Sequence, residues 1–122
     1  MPKRFLIIDD SKTFREIMRE VVQSLGHVMV GEAADGIEGI EKFKQLRPDV
    51  TLLDIEMPRM AGVETLKGIL AEDPDAAIIM LTKVDDIAVV DECILAGARD
   101  YVVKDRLLQA AERIAAAIPV AS

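Results

Sequence analysis

The sequence predicts an α/β domain built on a parallel sheet with helices on both faces, and three observations carry the prediction. Five short apolar runs of strand length each precede a stretch with apolar residues at helical spacing, five times without a break. The middle run, Val50–Asp54, is continuous, β-branched at its start and bounded by Pro48 and Pro58, which marks a buried strand and not a helix segment. No linker, low-complexity segment or internal repeat interrupts the pattern, so residues 1–122 are expected to form one domain.

Arg4 to Ile8 is the first strand, and it ends on Asp9-Asp10. Ser11 or Asp10 can cap a helix to about Leu25, with Phe14, Ile17, Met18, Val21 and Val22 on its apolar face. Gly26 stops that helix. His27 to Ala34 reads as the second strand, with His27 at the turn or strand start. Asp35-Gly36 signals a turn, and Ile37, Ile40, Phe43 and Leu46 outline the second helix. Pro48-Asp49 breaks it before the central strand. A third helix is expected from Met60 to Leu70, a fourth strand from Ala76 to Leu81, and a fourth helix from a cap at Asp85 or Asp86 to Ala96. Asp100 to Val103 is the fifth strand, and a last helix rich in Ala and Leu runs from about Asp105 to Ala117.

Composition excludes several classes. With 15 basic against 22 acidic residues, the net charge of -7 opposes direct binding to a nucleic-acid backbone. There is no Trp, and one Tyr with three Phe offers little base stacking. The lone Cys93 forms no internal disulfide, which suits a reducing cytoplasm, and reads as a small apolar residue. No apolar run approaches the roughly 20 residues of a membrane span.

The chemistry lies in what ends the strands. Strands one, three, four and five finish on Asp9-Asp10, Asp54, Thr82 and Lys104, and in a parallel sheet these ends point the same way. Taken singly, each is ordinary: a strand-end carboxylate is usually just solvated, and Asp10 or Ser11 caps a helix in any case. Together, three carboxylates repel one another and call for a hard cation, for which Mg²⁺ with its few protein oxygens fits. A Lys amine and a Thr hydroxyl beside such an ion can hold phosphoryl oxygens, and a carboxylate there can attack phosphorus to form an aspartyl phosphate.

That set resembles the receiver domain of two-component response regulators over essentially the whole chain. Asp54-Ile55-Glu56-Met57-Pro58-Arg59-Met60-Ala61-Gly62 is similar to the family's phosphoacceptor Asp, Met-Pro and Gly eight positions on. Ala96-Gly97-Ala98-Arg99-Asp100-Tyr101-Val102-Val103-Lys104 resembles the run leading to its lysine. The resemblance implies a flavodoxin-like doubly wound sheet of order 2-1-3-4-5. It makes Asp54 the phosphoacceptor and Asp10 a direct Mg²⁺ ligand, with Asp9 acting through water and the Glu56 backbone carbonyl as a further ligand. It gives Thr82 and Lys104 contacts to the phosphoryl group and makes Tyr101 the aromatic that turns inward as Thr82 moves. The implied partners are a sensor histidine kinase or phosphotransfer protein and a downstream target on the fourth helix, fifth strand and last helix. The end of the chain shortly after the last helix favours a stand-alone, chemotaxis-like regulator, although a receiver cut from a longer protein would look the same, and dimerisation through the last helix is left open.

Three departures stand out. Asp105 follows Lys104 where the family usually has Pro after a cis peptide, and it adds a carboxylate near the lysine. Lys83 follows Thr82 where a small residue is usual. Glu56 and Val84 occupy positions that in the family tune loss of the phosphoryl group. Lys83 and Asp105 motivate an alternative, a receiver-like binding module that does not phosphorylate. A phosphohydrolase of the haloacid dehalogenase type is a further alternative, with Glu56 as general acid; against it stand the short chain and a nucleophile that does not end the first strand. Val90 and Leu95 on the nearly all-apolar fourth helix suggest a partner patch, and Arg106, Glu112 and Arg113 read as ordinary helix-surface charges.

Overall fold

A computed structural model describes residues 2–57, 60–83 and 87–117. The elements alternate as β1 (Arg4–Ile8), α1 (Lys12–Ser24), β2 (Val28–Ala33), α2 (Gly36–Leu46), β3 (Val50–Asp54), α3 (Gly62–Glu72), β4 (Ala77–Thr82), α4 (Ile87–Ala96), β5 (Asp100–Val103) and α5 (Leu107–Ala117). All strand pairs are parallel, in the order β2-β1-β3-β4-β5. This is the flavodoxin-like doubly wound sheet. Right-handed crossovers then dictate the layers. The chain steps outward from β1 to β2 and returns past β1 to β3, so α1 and α2 fall on opposite faces; α3 and α4 continue in the second direction and join α2.

The two cores follow from strand alternation. Phe5, Ile7, Leu52, Ile79, Leu81 and Val102 point to one face and meet Phe14, Met18 and Val22 of α1 with Ala110, Ile114 and Ala117 of α5. Leu6, Ile8, Leu53, Ile78 and Met80 point to the other, against Phe43 of α2, Leu66 and Ile69 of α3, and Val90 and Cys93 of α4. On β2 the register slips between Phe5 and Leu6, whose partners are Met29 and Gly31. The skipped residue, Val30, resets the alternation, so that Met29 joins the first core and Ala33 the second.

Local chemistry sets the helix ends. Ser11 Oγ accepts the Phe14 N–H at 3.2 Å, so Ser11 caps α1. Gly26 leaves α1 at φ 84°, a conformation that suits glycine. Asp35 caps α2 through the Glu38 N–H at 2.9 Å, and the Glu38 carboxylate accepts the Ala34 N–H at 3.0 Å. His27 precedes β2, and its Nδ1 accepts the Lys3 N–H at 2.9 Å.

Three expectations need correction. Helix α3 begins at Gly62 and not at Met60, because its first residue packs against the end of β3 and Ala61 has no side chain able to cap. Helix α5 begins at Leu107; Asp105 and Arg106 lie in a turn closed by the Arg106 N–H on Val103 O at 3.1 Å. Val90 is not exposed: it sits at 7% on the sheet-facing stripe three residues before Cys93, whereas Leu95, on the far side, is 88% exposed. The expected cap at Asp85 or Asp86 and the expectations for Pro58 and Val84 lie outside the described residues.

Candidate functional site

The register aligns the carboxyl ends of the central strands. Ile8 pairs with Leu53, Asp54 with Leu81, and Thr82 with Val103, so Asp9, Asp54, Thr82 and Lys104 share one rim of the sheet. Alternation then sorts them. Asp9 follows Ile7, Asp54 follows Leu52 and Lys104 follows Val102 by two residues, which aims all three toward α1 and α5. Thr82 follows Met80 and faces the α4 side, as does Tyr101, which pairs with Met80 and packs against the second core.

On the first side a lysine joins two buried carboxylates. Lys104 Nζ lies 2.7 Å from Asp9 Oδ2 and 3.2 Å from Asp54 Oδ2. Asp9 is 0% and Asp54 1% exposed, while Asp10 faces solvent. The ammonium also lies over the Phe14 ring, 4.7 Å from its centroid. Each carboxylate has one oxygen fixed by backbone: Asp9 Oδ1 accepts the Ser11 N–H at 2.8 Å, and Asp54 Oδ1 accepts the Glu56 N–H at 3.3 Å. The other oxygens, Asp9 Oδ2 and Asp54 Oδ2, are buried and have no backbone donor; the Lys104 ammonium is what faces them both.

Electrostatics follow from that layout. Burial, and next the Asp9 carboxylate, push the Asp54 carboxyl up from its ordinary 3.8 to about 6, against the opposing pull of Lys104 and the Glu56 N–H. Asp54 is thus a carboxylate whose ionised form is costly until a further cation arrives.

The residues fit a hard divalent ion. Carboxylate oxygens of Asp9, Asp10 and Asp54 lie within 4.8 Å of one another, and two buried oxygens have lone pairs to offer. An all-oxygen set open to water on the Asp10 side suits Mg²⁺, which retains several waters. Glu56 lies two residues past Asp54, the end of β3, and is exposed, with its N–H turned to Asp54.

The rim is kept narrow by Gly62. A Cβ there would sit 2.4 Å from Asp54 O and 2.6 Å from Ile55 Cα, and the Gly62 N–H donates to Ile55 O at 2.8 Å. Only a glycine lets α3 begin this close to the end of β3, which is a physical reason for a Gly eight positions after Asp54.

The departures resolve in part. Lys104 turns to Asp9 and Asp54 while Asp105 is exposed, and among the described residues no peptide bond is cis, the Lys104–Asp105 bond included. Lys83 is exposed beside buried Thr82. Two contributors were not legible as such: Phe14, read only as helix core, lies under the Lys104 ammonium, and Arg15 donates from Nη1 to Asp9 O at 2.7 Å. Arg113, expected to be an ordinary surface charge, bonds Asp100 Oδ1 at 2.9 Å and lies 4.8 Å from the Tyr101 ring centroid. No spacing rule reaches these contacts, because they join residues brought together across α1 and α5.

Comparison with known proteins gives a consistent answer. The family model described as response regulator receiver domain matches residues 5–118. The chemotaxis protein CheY of Thermotoga maritima is 41% identical over 104 residues, covering 85% of this chain and 87% of the relative. Among solved structures, the response regulator domain of Thermotoga maritima CheB superposes with a TM-score of 0.89 at 30% identity, covering 100% of both chains. A chain of the CheX-CheY-BeF3-Mg+2 complex from Borrelia burgdorferi superposes with a TM-score of 0.84 at 30% identity, covering 93% of this chain and 90% of that one.

Proposed function

The chain belongs to the response regulator receiver family, and from that premise we propose that residues 1–122 form one receiver domain whose Asp54 accepts a phosphoryl group in a two-component phosphorelay. The observation that carries the reading is Asp54 Oδ2: a buried carboxylate oxygen with no backbone donor, 3.2 Å from Lys104 Nζ and clustered with Asp9 and Asp10. Receiver domains are generally signalling domains without catalytic turnover, so the chemistry is one phosphoryl group per chain. An Asp54 oxygen attacks phosphorus, the new O–P bond forms, the P–N bond to a histidine of the donor breaks, and the imidazole leaves with a proton. The donor is a sensor histidine kinase or a phosphotransfer protein.

Each residue then has a task. Asp10, Asp54 and the Glu56 backbone carbonyl would hold Mg²⁺, with the Asp9 carboxylate beside them. When bound, the ion supplies positive charge against the carboxylates and the phosphoryl oxygens. Lys104, already shared between Asp9 and Asp54, shifts its ammonium to a phosphoryl oxygen. Thr82 donates its hydroxyl to another, and Tyr101, on the same side of the sheet, turns inward as Thr82 moves. The added group brings nearly two negative charges and three strong acceptors. It favours whichever arrangement of α4, β5 and α5 contacts it better, and a downstream target reads that surface. The BeF3 and Mg²⁺ held in the Borrelia burgdorferi complex support the reading.

Intact-mass measurement with Mg²⁺ and acetyl phosphate tests it. The expected result is a gain of one labile phosphoryl group that requires Mg²⁺. Continuous hydrolysis of phosphomonoesters would support the phosphohydrolase instead, and Mg²⁺ binding with no mass gain would support the non-phosphorylating module.

A further inference from the structure

We infer that Arg15 is a positioning residue for the cation site, acting through the backbone of the turn that carries Asp9 and Asp10; the inference rests on the proposed function. Every polar group of Asp9 that faces this turn is held. Its N–H donates to Ala33 O at 2.9 Å, its Oδ1 accepts the Ser11 N–H at 2.8 Å, and its carbonyl accepts from Arg15 Nη1 at 2.7 Å. The first two bonds have backbone partners, Ala33 O at the end of β2 and the Ser11 N–H. The third comes from a side chain one turn into α1, and it fixes the peptide plane between Asp9 and Asp10. That plane carries the Asp10 carboxylate, which is exposed and has to meet Asp9 and Asp54 at the rim.

Arg15 is itself anchored. Its Nε donates to Glu32 Oε1 on β2 at 2.9 Å, and its side chain is only 16% exposed. One planar guanidinium thus spans a carboxylate and a carbonyl at once, which a lysine ammonium at the end of a flexible stem does not reproduce. Arg19 provides the internal comparison. It pairs with the other oxygen of the same Glu32 from the same helix, so it shares the charge and the partner but bonds Glu32 and not the Asp9 carbonyl.

Position and charge predict opposite results. A fixed positive charge near a Mg²⁺ site weakens binding, so if Arg15 acted by charge alone its removal would tighten Mg²⁺. If it positions the turn, removal loosens the site.

The test is Mg²⁺ titration by calorimetry of the unphosphorylated native chain, Arg15→Ala, Arg15→Lys and Arg19→Ala. Amide exchange at Asp10 and Ser11 is measured beside it without metal. Both Arg15 variants are expected to weaken Mg²⁺ about tenfold, the usual scale for loss of an outer contact to a metal ligand. They should also speed exchange at Asp10 and Ser11 before any metal is added, while Arg19→Ala changes neither. Should Arg15→Ala fail to fold, Arg15→Lys, which keeps the charge, decides alone. Unchanged or tighter binding in the Arg15 variants, or an equal loss in Arg19→Ala, overturns the inference and leaves the proposed function standing. A native chain that binds no Mg²⁺ overturns the proposed function, and this inference with it.

Discussion

The two sides of the sheet rim are built on different principles. Toward α1 and α5, the buried carboxylates of Asp9 and Asp54 are each pinned by a backbone donor and share the Lys104 ammonium. Toward α4, Thr82 is buried but uncharged and Tyr101 is half-buried, held by the cation of Arg113, whose side chain is 43% exposed. Beyond them, Leu95 and Leu108 present large apolar side chains to solvent. The first side stores electrostatic cost in a fixed place; the second has contacts weak enough to rearrange. The two sides are joined through backbone: Lys104 follows directly on β5, and its N–H donates to Thr82 O at 2.8 Å.

The contrast can be broken most severely at Lys104. Lys104→Met leaves Asp9 and Asp54 facing each other without their cation, and removing one partner of a buried ionic group costs about 3–5 kcal/mol. Urea unfolding of the metal-free protein should show that loss, with partial recovery on adding Mg²⁺. An unchanged midpoint would mean that the carboxylates are not coupled through this lysine.

A smaller effect of opposite sign is expected at Asp54. Its carboxyl is raised to about 6 in the folded chain, so between its ordinary 3.8 and that value the native state holds a proton that the unfolded chain has released. The sign follows: metal-free stability from this group is greatest at low pH and falls as pH rises through about 6. Asp54→Asn removes the penalty, so the variant should be more stable than the native chain at pH 7.5 by about 3 kcal/mol, with the gap closing toward pH 4. A gap that does not narrow on acidification would place the raised carboxyl elsewhere.

The α4 side should respond far less. Arg113→Ala removes an exposed ion pair with Asp100 and the cation over Tyr101, a loss under about 1 kcal/mol. Tyr101 is the one Tyr in a chain without Trp, so intrinsic fluorescence reports this ring alone. Its emission and quenching should change while the unfolding midpoint scarcely moves. A large stability loss with unchanged fluorescence would contradict the difference drawn between the two sides.

How far the sequence foretells this molecule follows the same division. Strand-then-helix alternation and polar strand ends are local properties, so the sheet and the convergence of Asp9, Asp10, Asp54 and Lys104 were legible from spacing. Helix starts were less so. The entry into α3 depends on how near Gly62 comes to Ile55, and the entry into α5 on the turn through Asp105 and Arg106; both are tertiary facts. On α4, hydrophobicity nearly all round hides which stripe is buried, and for that reason Val90 and Leu95 looked alike. The contacts of Phe14, Arg15 and Arg113 depend on helix rotation against the sheet, which no residue spacing encodes.

The most direct test of the central claim is to trap the acyl phosphate chemically. After incubation with Mg²⁺ and acetyl phosphate, borohydride reduction converts an aspartyl phosphate to homoserine, and peptide mass mapping locates the change. The expected result is homoserine at position 54 alone, requiring Mg²⁺. Homoserine at position 9 or 10, or at none of the three despite bound Mg²⁺, would contradict it.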